Sequence, residues 1–183
     1  MPLVFLDTET THLDIDLREA WEIAGIKVDD DGEESTLHLI VTDVDLSTAS
    51  AQSLAMNGFY ERHSRMVRTG PSHSIQYVPE EAAAHALAWF TAGATVVGAQ
   101  PSFDTYTLER MQRRNKVAPT WHYRLMDVES MVTGHLRRVV GGLASCMSAM
   151  GLDFPQESQH TALGDALAVK MIWNSIMNGV DER

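Results

Sequence analysis

The stretch VFLDTET at residues 4–10 decides the fold, because a short apolar run is followed at once by two acidic residues. The apolar run at residues 3–6 is short and bounded by polar residues, which predicts a buried strand. In a strand, Asp7 and Glu9 project to one face while Thr8 points to the other. Carboxylates facing a protein interior are costly unless they are paired or bind a metal. The pair alone leaves two interpretations open, a solvated strand end and a metal site.

The size and composition of the chain predict one domain over residues 1–183, with 44% hydrophobic residues available for a core. No apolar run approaches the roughly 20 residues of a membrane span. The first residues lack the basic and apolar regions of a secretion signal, so we expect a cytoplasmic protein. A single cysteine, Cys146, excludes an internal disulfide framework and a cysteine-based zinc site.

The formal net charge of −11 argues at first sight against a nucleic-acid partner, because surfaces that bind phosphates are usually basic. The charge is unevenly distributed, however. DDDGEE at residues 29–34 is acidic and is typical of a hairpin turn, whereas RHSRMVR at residues 62–68 and ERMQRRNK at residues 109–116 are basic. The total charge therefore does not exclude a nucleic acid.

The pattern of strands and helices predicts an α/β domain. Strands at residues 21–28 and 35–41, joined through Asp-Gly at residues 31–32, form a hairpin that extends the first strand into a three-stranded antiparallel meander. Further strands are predicted at residues 94–99 and 122–126, and helices at residues 47–56, 79–92, 103–115, 128–138, 143–150 and 162–177. We expect a mixed five-stranded sheet, meander plus parallel strands, flanked by helices.

Two further acids follow predicted elements. Asp104 comes just after the strand at residues 94–99, at the strand end where open α/β sheets place their ligands. Asp165 lies in the first turn of the last helix. Each also has a simpler interpretation, since Asp104 could cap the helix that follows it and Asp165 could stabilise its helix dipole.

His160 precedes Asp165 by five residues. On one helix the two side chains would point about 140° apart, so they share a site only if His160 lies in the turn before the helix. From that turn it could take a proton from water. A single histidine in a loop is more often simply exposed.

Three motifs, FLDTET at residues 5–10, SFD at residues 102–104 and HTALGD at residues 160–165, occur in the order and spacing of a known family. They resemble the DEDDh 3′-5′ exonucleases, the DnaQ-like group with an RNase H-like fold. REAWEIAGIKV at residues 18–28 also resembles the second strand of that family, and the resemblance extends from residue 3 to about residue 177.

The resemblance implies a role for each acid. Asp7, Glu9, Asp104 and Asp165 would bind two Mg²⁺, for which Mn²⁺ can substitute, with Asp7 bridging both ions, and His160 would be the general base. Two metals about 4 Å apart can activate a water and stabilise both the attacking and the leaving oxygen of a phosphodiester displacement. Two Mg²⁺ would also offset four of the eleven formal negative charges.

The resemblance also implies substrate contacts. Thr8 and Thr10 would lie near the terminal nucleotide, Leu13 would wedge against a base, and Phe103 would line the pocket. Packing at a strand end and in the core is an equally weighted alternative for these residues. Gln100, also a predicted substrate contact, stands where many relatives have asparagine, which puts substrate positioning in question.

A second departure is His12, which stands at a position where the family usually has glycine. If the backbone there needs a positive φ, His12 is strained, although histidine is among the residues enriched in that conformation.

The function predicted from sequence is a metal-dependent 3′-5′ exonuclease that releases nucleoside monophosphates from 3′ ends of single-stranded DNA, RNA or both. The alternative is a catalytically silent nucleic-acid-binding or polymerase accessory module on the same fold. The complete set of four acids and a histidine favours the enzyme, with a polymerase or a second copy of the chain as its partner. The choice between DNA and RNA stays open.

Overall fold

The computed structural model describes residues 1–63 and 75–179. These residues form one mixed sheet of six strands: β1 (Leu3–Thr10), β2 (Ala20–Val28), β3 (Glu34–Val41), β4 (Gln76–Val78), β5 (Thr95–Gly98) and β6 (Met126–Asp127). The strand order is β4-β3-β2-β1-β5-β6, in which β1, β2 and β3 are the predicted antiparallel meander. β4 runs parallel to β3, β5 to β1 and β6 to β5. The predicted α/β class is confirmed.

Seven α-helices and one short 3₁₀ turn complete the described part of the chain. They are α1 (Ala51–Met56), α2 (Phe59–Arg62), α3 (Glu80–Phe90), α4 (Pro101–Arg114), α5 (Val128–Leu136), α6 (Leu143–Ala149), the 3₁₀ turn Gln156–Ser158 and α7 (Ala162–Met177). The sequence missed α2 and β4, and the strand predicted at residues 122–126 pairs only at residues 126–127. Most of the basic segment at residues 62–68 lies outside the described residues.

β1 is longer than the apolar run that predicted it, because β2 pairs with it far beyond residue 6. Asp7 lies opposite Ala24 and Glu9 opposite Glu22, and the register shifts between Glu9 and Thr10. Both acids are therefore held inside a hydrogen-bonded ladder, with their side chains on one face. The strand therefore continues past its predicted end at Leu6 and includes both acids.

The alternating side chains of β1 enter two different cores. Val4 and Leu6 pack into the core that contains residues of α3 and α4. Phe5 packs into the other core, with residues of α5, α6 and α7, and its ring meets the edge of Trp173 at a centroid distance of 6.1 Å. Cys146 is buried in this second core, as a small core residue would be.

Across residues 1–63 and 75–179, no helix has both the length and the apolar character that crossing a membrane requires. The acidic segment forms the predicted turn between β2 and β3, where Gly32 takes a φ of 85°.

Gly25 on β2 provides a test of the sheet packing. A Cβ at this position would lie 2.9 Å from Cε1 of Phe90 and 3.3 Å from Cγ1 of Val4. We expect Gly25→Ala to lower the free energy of unfolding by about 1–3 kcal/mol, because an overpacked core must shift. Urea unfolding measures the change.

Gly134 in α5 is the matched control, since nothing lies within 4 Å of a Cβ there. Gly134→Ala should raise the free energy of unfolding by roughly 0.5–1 kcal/mol. The reason is that alanine loses less backbone conformational entropy than glycine when the helix forms. Equal effects of the two substitutions would contradict the packing described for β2.

Candidate active site

Three carboxylates meet at one end of the sheet. One oxygen each from Asp7, Glu9 and Asp165 lies within 4.8 Å of the other two. Asp7 and Glu9 come from the face of β1 that packs toward α7, and Asp165 comes from the first turn of α7. The fold thus brings together three of the four acids that the sequence analysis singled out.

The turn before α7 is closely packed. The Thr161 hydroxyl caps the helix by accepting a hydrogen bond from the Gly164 N–H, and the Asp165 N–H donates to the Thr161 carbonyl. A Cβ on Gly164 would overlap the Ser158 carbonyl, so this position requires glycine. The glycine in HTALGD thus lets the preceding turn fold back against the helix and fixes Asp165.

Asp104 lies beside this group rather than within it. It comes from the first turn of α4 and is 3% exposed. Its Oδ1 accepts a hydrogen bond of 2.7 Å from the hydroxyl of Thr8, which points to the opposite face of β1 from Asp7. The cap position of α4 is occupied by Gln100, so Asp104 is not the helix cap that the simpler interpretation required.

Burial raises the pKa values of all four carboxyl groups, and repulsion by neighbouring carboxylates adds to it for Asp7, Glu9 and Asp165. Desolvation is the largest cause in each case, and it raises the pKa of Glu9 to about 8 and those of Asp104 and Asp165 to about 7. The pKa of Asp7 lies well above its ordinary value, through burial and then the charges of Asp104 and Asp165. A bound cation would relieve both causes.

The donor set fits a hard divalent cation. All four groups offer carboxylate oxygens, which suit Mg²⁺ and Mn²⁺. Oδ1 of Asp165 is buried and has no hydrogen-bond partner among the described residues. A buried acceptor without a donor is costly, and a cation at the cluster would supply the missing partner.

His160 lies in the turn before α7, as a shared site with Asp165 requires. Its φ is 57°, a left-handed conformation. Its backbone lowers the pKa of the Asp165 carboxyl against the effect of burial, and its carbonyl accepts a hydrogen bond of 3.0 Å from Nη2 of Arg62. The backbone of the histidine is thereby held at its carbonyl while its side chain is exposed.

A cleft of about 490 Å³ opens beside the acids. Its lining consists of Thr8, Glu9, Thr10, His12, Leu13, Ser50, Gln52, Ser53, Met56, Asn57, Phe103 and His160. Four of the five predicted substrate contacts are in this set, namely Thr8, Thr10, Leu13 and Phe103. The cleft leads to Glu9 and therefore to the acidic cluster.

Gln100 is not part of this lining. Its side chain is exposed, its φ is 56°, and its N–H donates to Oδ1 of Asp127 at 3.2 Å. Positive φ at described non-glycine residues occurs at Gln100, Lys116, Arg137 and His160, and therefore not at His12. Instead, His12 accepts a hydrogen bond of 2.8 Å from the Asp14 N–H on its Nδ1. The backbone strain considered for His12 is thus absent there and occurs at Gln100.

Two residues near the site had no predicted role, Glu22 and Arg62. Glu22 is 1% exposed and lies directly opposite Glu9 on β2. It accepts hydrogen bonds from His38 Nε2 at 2.8 Å and Arg62 Nη1 at 2.6 Å. Although burial opposes it, these two partners lower the pKa of Glu22 below its ordinary value. A lone acid in the otherwise apolar stretch AWEIAGI was the available signal.

Comparison with known proteins gives a family and a fold. The family model RNase_T, described as "Exonuclease", matches residues 4–172. No curated protein sequence matches the chain. Solved structures of E. coli exonuclease I match over nearly the whole chain at low sequence identity.

The structure in complex with a dT13 oligonucleotide has a TM-score of 0.65 and 17% identity, over 95% of this chain and 41% of that one. The zinc ion bound form of the complex with single-stranded DNA has a TM-score of 0.70 and 18% identity, over 97% of this chain and 41% of that one. The chain therefore spans about two-fifths of the length of these structures, and the likeness shows the fold.

The raised pKa values predict how the metal-free protein responds to pH. Because Glu9 titrates at about 8 and Asp165 at about 7 when folded, the folded state binds more protons than the unfolded state from about pH 5 to pH 8. The free energy of unfolding should therefore fall as pH rises through that window. We expect the melting temperature with EDTA to be higher near pH 6 than near pH 8.5, by roughly 2–4 °C for each kcal/mol lost.

Millimolar Mn²⁺ or Mg²⁺ should restore most of that loss at the higher pH, since it binds the ionised cluster. Asp7→Asn should weaken the pH dependence, whereas Asp153→Asn, at an exposed position, is the control that should leave it unchanged. A pH response that is the same in Asp7→Asn as in the unmodified protein would contradict the assignment.

Proposed function

The chain belongs to the RNase_T exonuclease family, and on that premise we propose that it is a metal-dependent 3′-5′ exonuclease acting on single-stranded DNA or RNA. The products would be nucleoside monophosphates released from 3′ ends. The observation that supports the proposal most directly is the meeting of Asp7, Glu9 and Asp165 within 4.8 Å beside the cleft.

The four acids would share two divalent cations, Mg²⁺ or Mn²⁺. Asp7 and Glu9 with Asp165 form one group of oxygens, and Asp104 approaches from the other side of β1. The charges of Asp104 and Asp165 both raise the pKa of Asp7, and Asp7 would contribute oxygens to both ions, as the family resemblance implies. When bound, such ions supply Lewis acidity that activates a water and stabilises charge on the leaving oxygen.

His160 would accept the proton of the attacking water. His160 lines the cleft together with Glu9, and the hydrogen bond from Arg62 fixes the backbone that carries the ring. A proton acceptor would then lie at the edge of the acidic cluster, with its ring outside the group of carboxylates.

The cleft offers one flat and one bulky apolar side chain to a nucleotide. The Arg18 guanidinium covers one face of the Phe103 ring, 3.5 Å from its centroid, which leaves the other face for a base. Leu13 is 69% exposed, as a side chain that wedges against a base would be before substrate binds. Stacking on an aromatic ring tolerates any base, so this wall suits a single strand of varied sequence.

E. coli exonuclease I has been seen in complex with a dT13 oligonucleotide, so single-stranded DNA is the first substrate to test, with RNA beside it. A cytoplasmic location, and a polymerase or a second copy of the chain as partner, stay predictions from the sequence. The alternative of a catalytically silent module is decided by the experiment that follows.

Release of nucleotides from labelled oligonucleotides tests the activity. With Mg²⁺ or Mn²⁺, a 5′-labelled single strand should shorten stepwise, whereas a 3′-labelled strand should release its label as a mononucleotide at once. Asp165→Asn should abolish this activity because it removes a carboxylate of the cluster. His160→Ala should lower kcat by roughly 10²–10⁴-fold, the usual contribution of a general base.

Asp153→Asn serves as the control, because this acid is exposed and lies outside the cluster. Full activity in purified, folded Asp165→Asn would refute the assignment. Absence of activity from the unmodified chain on DNA and RNA of either strandedness would favour the silent module.

Phe103 tests the base-binding wall. Since base stacking on an aromatic side chain is worth about 1–3 kcal/mol, Phe103→Ala should raise KM by roughly 5- to 150-fold and change kcat much less. Tyr106→Ala is the matched control, because this aromatic residue of α4 is 42% exposed and does not line the cleft. Equal changes in KM for both variants would show that Phe103 does not contact the base.

A further inference from the structure

Arg62, the last residue of α2, contacts three separate parts of the site. Its Nη1 donates to Oε2 of Glu22 at 2.6 Å. Its Nη2 donates to the carbonyl of Asn57 at 2.5 Å and to the carbonyl of His160 at 3.0 Å. One guanidinium thereby connects β2, the end of α1 and the turn that carries His160.

Glu22 fixes the guanidinium in place. It is buried on β2, and its other oxygen is held by His38 at 2.8 Å, so the carboxylate cannot rotate away. The Ala162 N–H, at the start of α7, also approaches Oε2 of Glu22 at 3.4 Å. The Trp21 ring lies under the guanidinium carbon at 4.9 Å from the centroid.

The His160 turn needs such support. A non-glycine residue at a φ of 57° is in a sparsely populated conformation, which persists when the surroundings determine it. Arg62 holds this residue at its carbonyl with a hydrogen bond of 3.0 Å. That contact therefore restrains the backbone that carries the imidazole.

We propose that Arg62 is a positioning residue for the reaction, which acts through the His160 carbonyl to direct the imidazole toward the acidic cluster. This inference rests on the proposed function and adds to it a residue that touches neither metal nor substrate. It assigns Glu22 the role of anchoring Arg62 to the central sheet.

Arginine is required here for its shape. Its planar fork presents several donors at fixed angles, whereas the lysine ammonium is a single point of charge on a flexible chain. In Arg62→Lys the ammonium keeps a positive charge beside the buried Glu22, so the fold keeps its ion pair. It cannot reach the carboxylate and both carbonyls together, so the contact to the turn is lost.

The test measures kcat and KM for four proteins on a single-stranded oligonucleotide with Mn²⁺: the unmodified chain, Arg62→Lys, His160→Ala and the double variant. Arg62→Lys should lower kcat by roughly 10- to 100-fold, because a misplacement of about 1 Å can cost on the order of 10²-fold. KM should stay within about threefold. In the His160→Ala background, Arg62→Lys should lower kcat by less than about threefold. The effects of two substitutions that act through the same group are not additive.

Arg113→Lys is the matched control. Arg113 pairs with Glu109 on the exposed face of α4, and its side chain is 64% exposed. It should leave kcat and KM unchanged. Three results would each overturn the positioning role of Arg62. They are a decrease in kcat for Arg62→Lys that is equally large in the presence and absence of His160, a change in KM without a change in kcat, and no change in either.

Hydrogen exchange supplies a readout that needs no substrate. Arg62→Lys should speed amide exchange across residues 158–162 and leave exchange in β1 unchanged. If the unmodified chain releases no nucleotide, the proposed function fails, and the exchange result still decides whether Arg62 holds the turn. Unchanged exchange in residues 158–162 would overturn the inference even in an active enzyme.

Discussion

The arrangement of the site depends on one constraint, which is that Asp7 and Glu9 are held on a strand that pairs with β2 along its whole length. β2 pairs with β1 beyond Glu9, and β5 pairs with its first half. Asp7 and Glu9 cannot turn to solvent without breaking that ladder. The repulsion and desolvation that raise their pKa values are therefore built into the folded state. The site therefore lowers the stability of the fold while it keeps the carboxylates in a fixed arrangement. Such a compromise is expected where function needs a strained or charged site.

The alternation of β1 explains how the four acids are divided. Phe5, Asp7 and Glu9 face α7, so Asp165 on that helix joins them. Thr8 faces the other way and meets Asp104 on α4. The two sides meet at β1 itself, where Asp7 lies between them. Two helices that pack on opposite faces of a sheet thus bring acids to the same end of the same strand, Asp165 into the cluster and Asp104 beside it.

The sequence predicted the parts of this arrangement that depend on local pattern. The spacing of Asp7 and Glu9, the meander and the position of His160 before α7 all follow from short-range rules. The sequence missed β4, since three residues at the edge of a sheet carry too little periodicity. It also missed the partnership of Glu22 with Arg62, because these residues are 40 positions apart and neither forms a recognisable spacing. Gln100 was expected in the cleft from its place in a motif, but its left-handed backbone belongs to the turn into α4 and keeps it outside.

The two-sided character of β1 also limits how the chain can change in length. One residue inserted or deleted ahead of Asp7 would exchange the two faces of the strand. The acids would then point toward α4, and Thr8 would take their place opposite Asp165. The turn between β2 and β3 has no such restriction, because it is exposed and joins strands that are already paired. Descendants of this chain can therefore gain and lose residues in that hairpin. Between the start of β1 and its acids, however, only an even number of residues can be gained or lost without turning the acids to the other face.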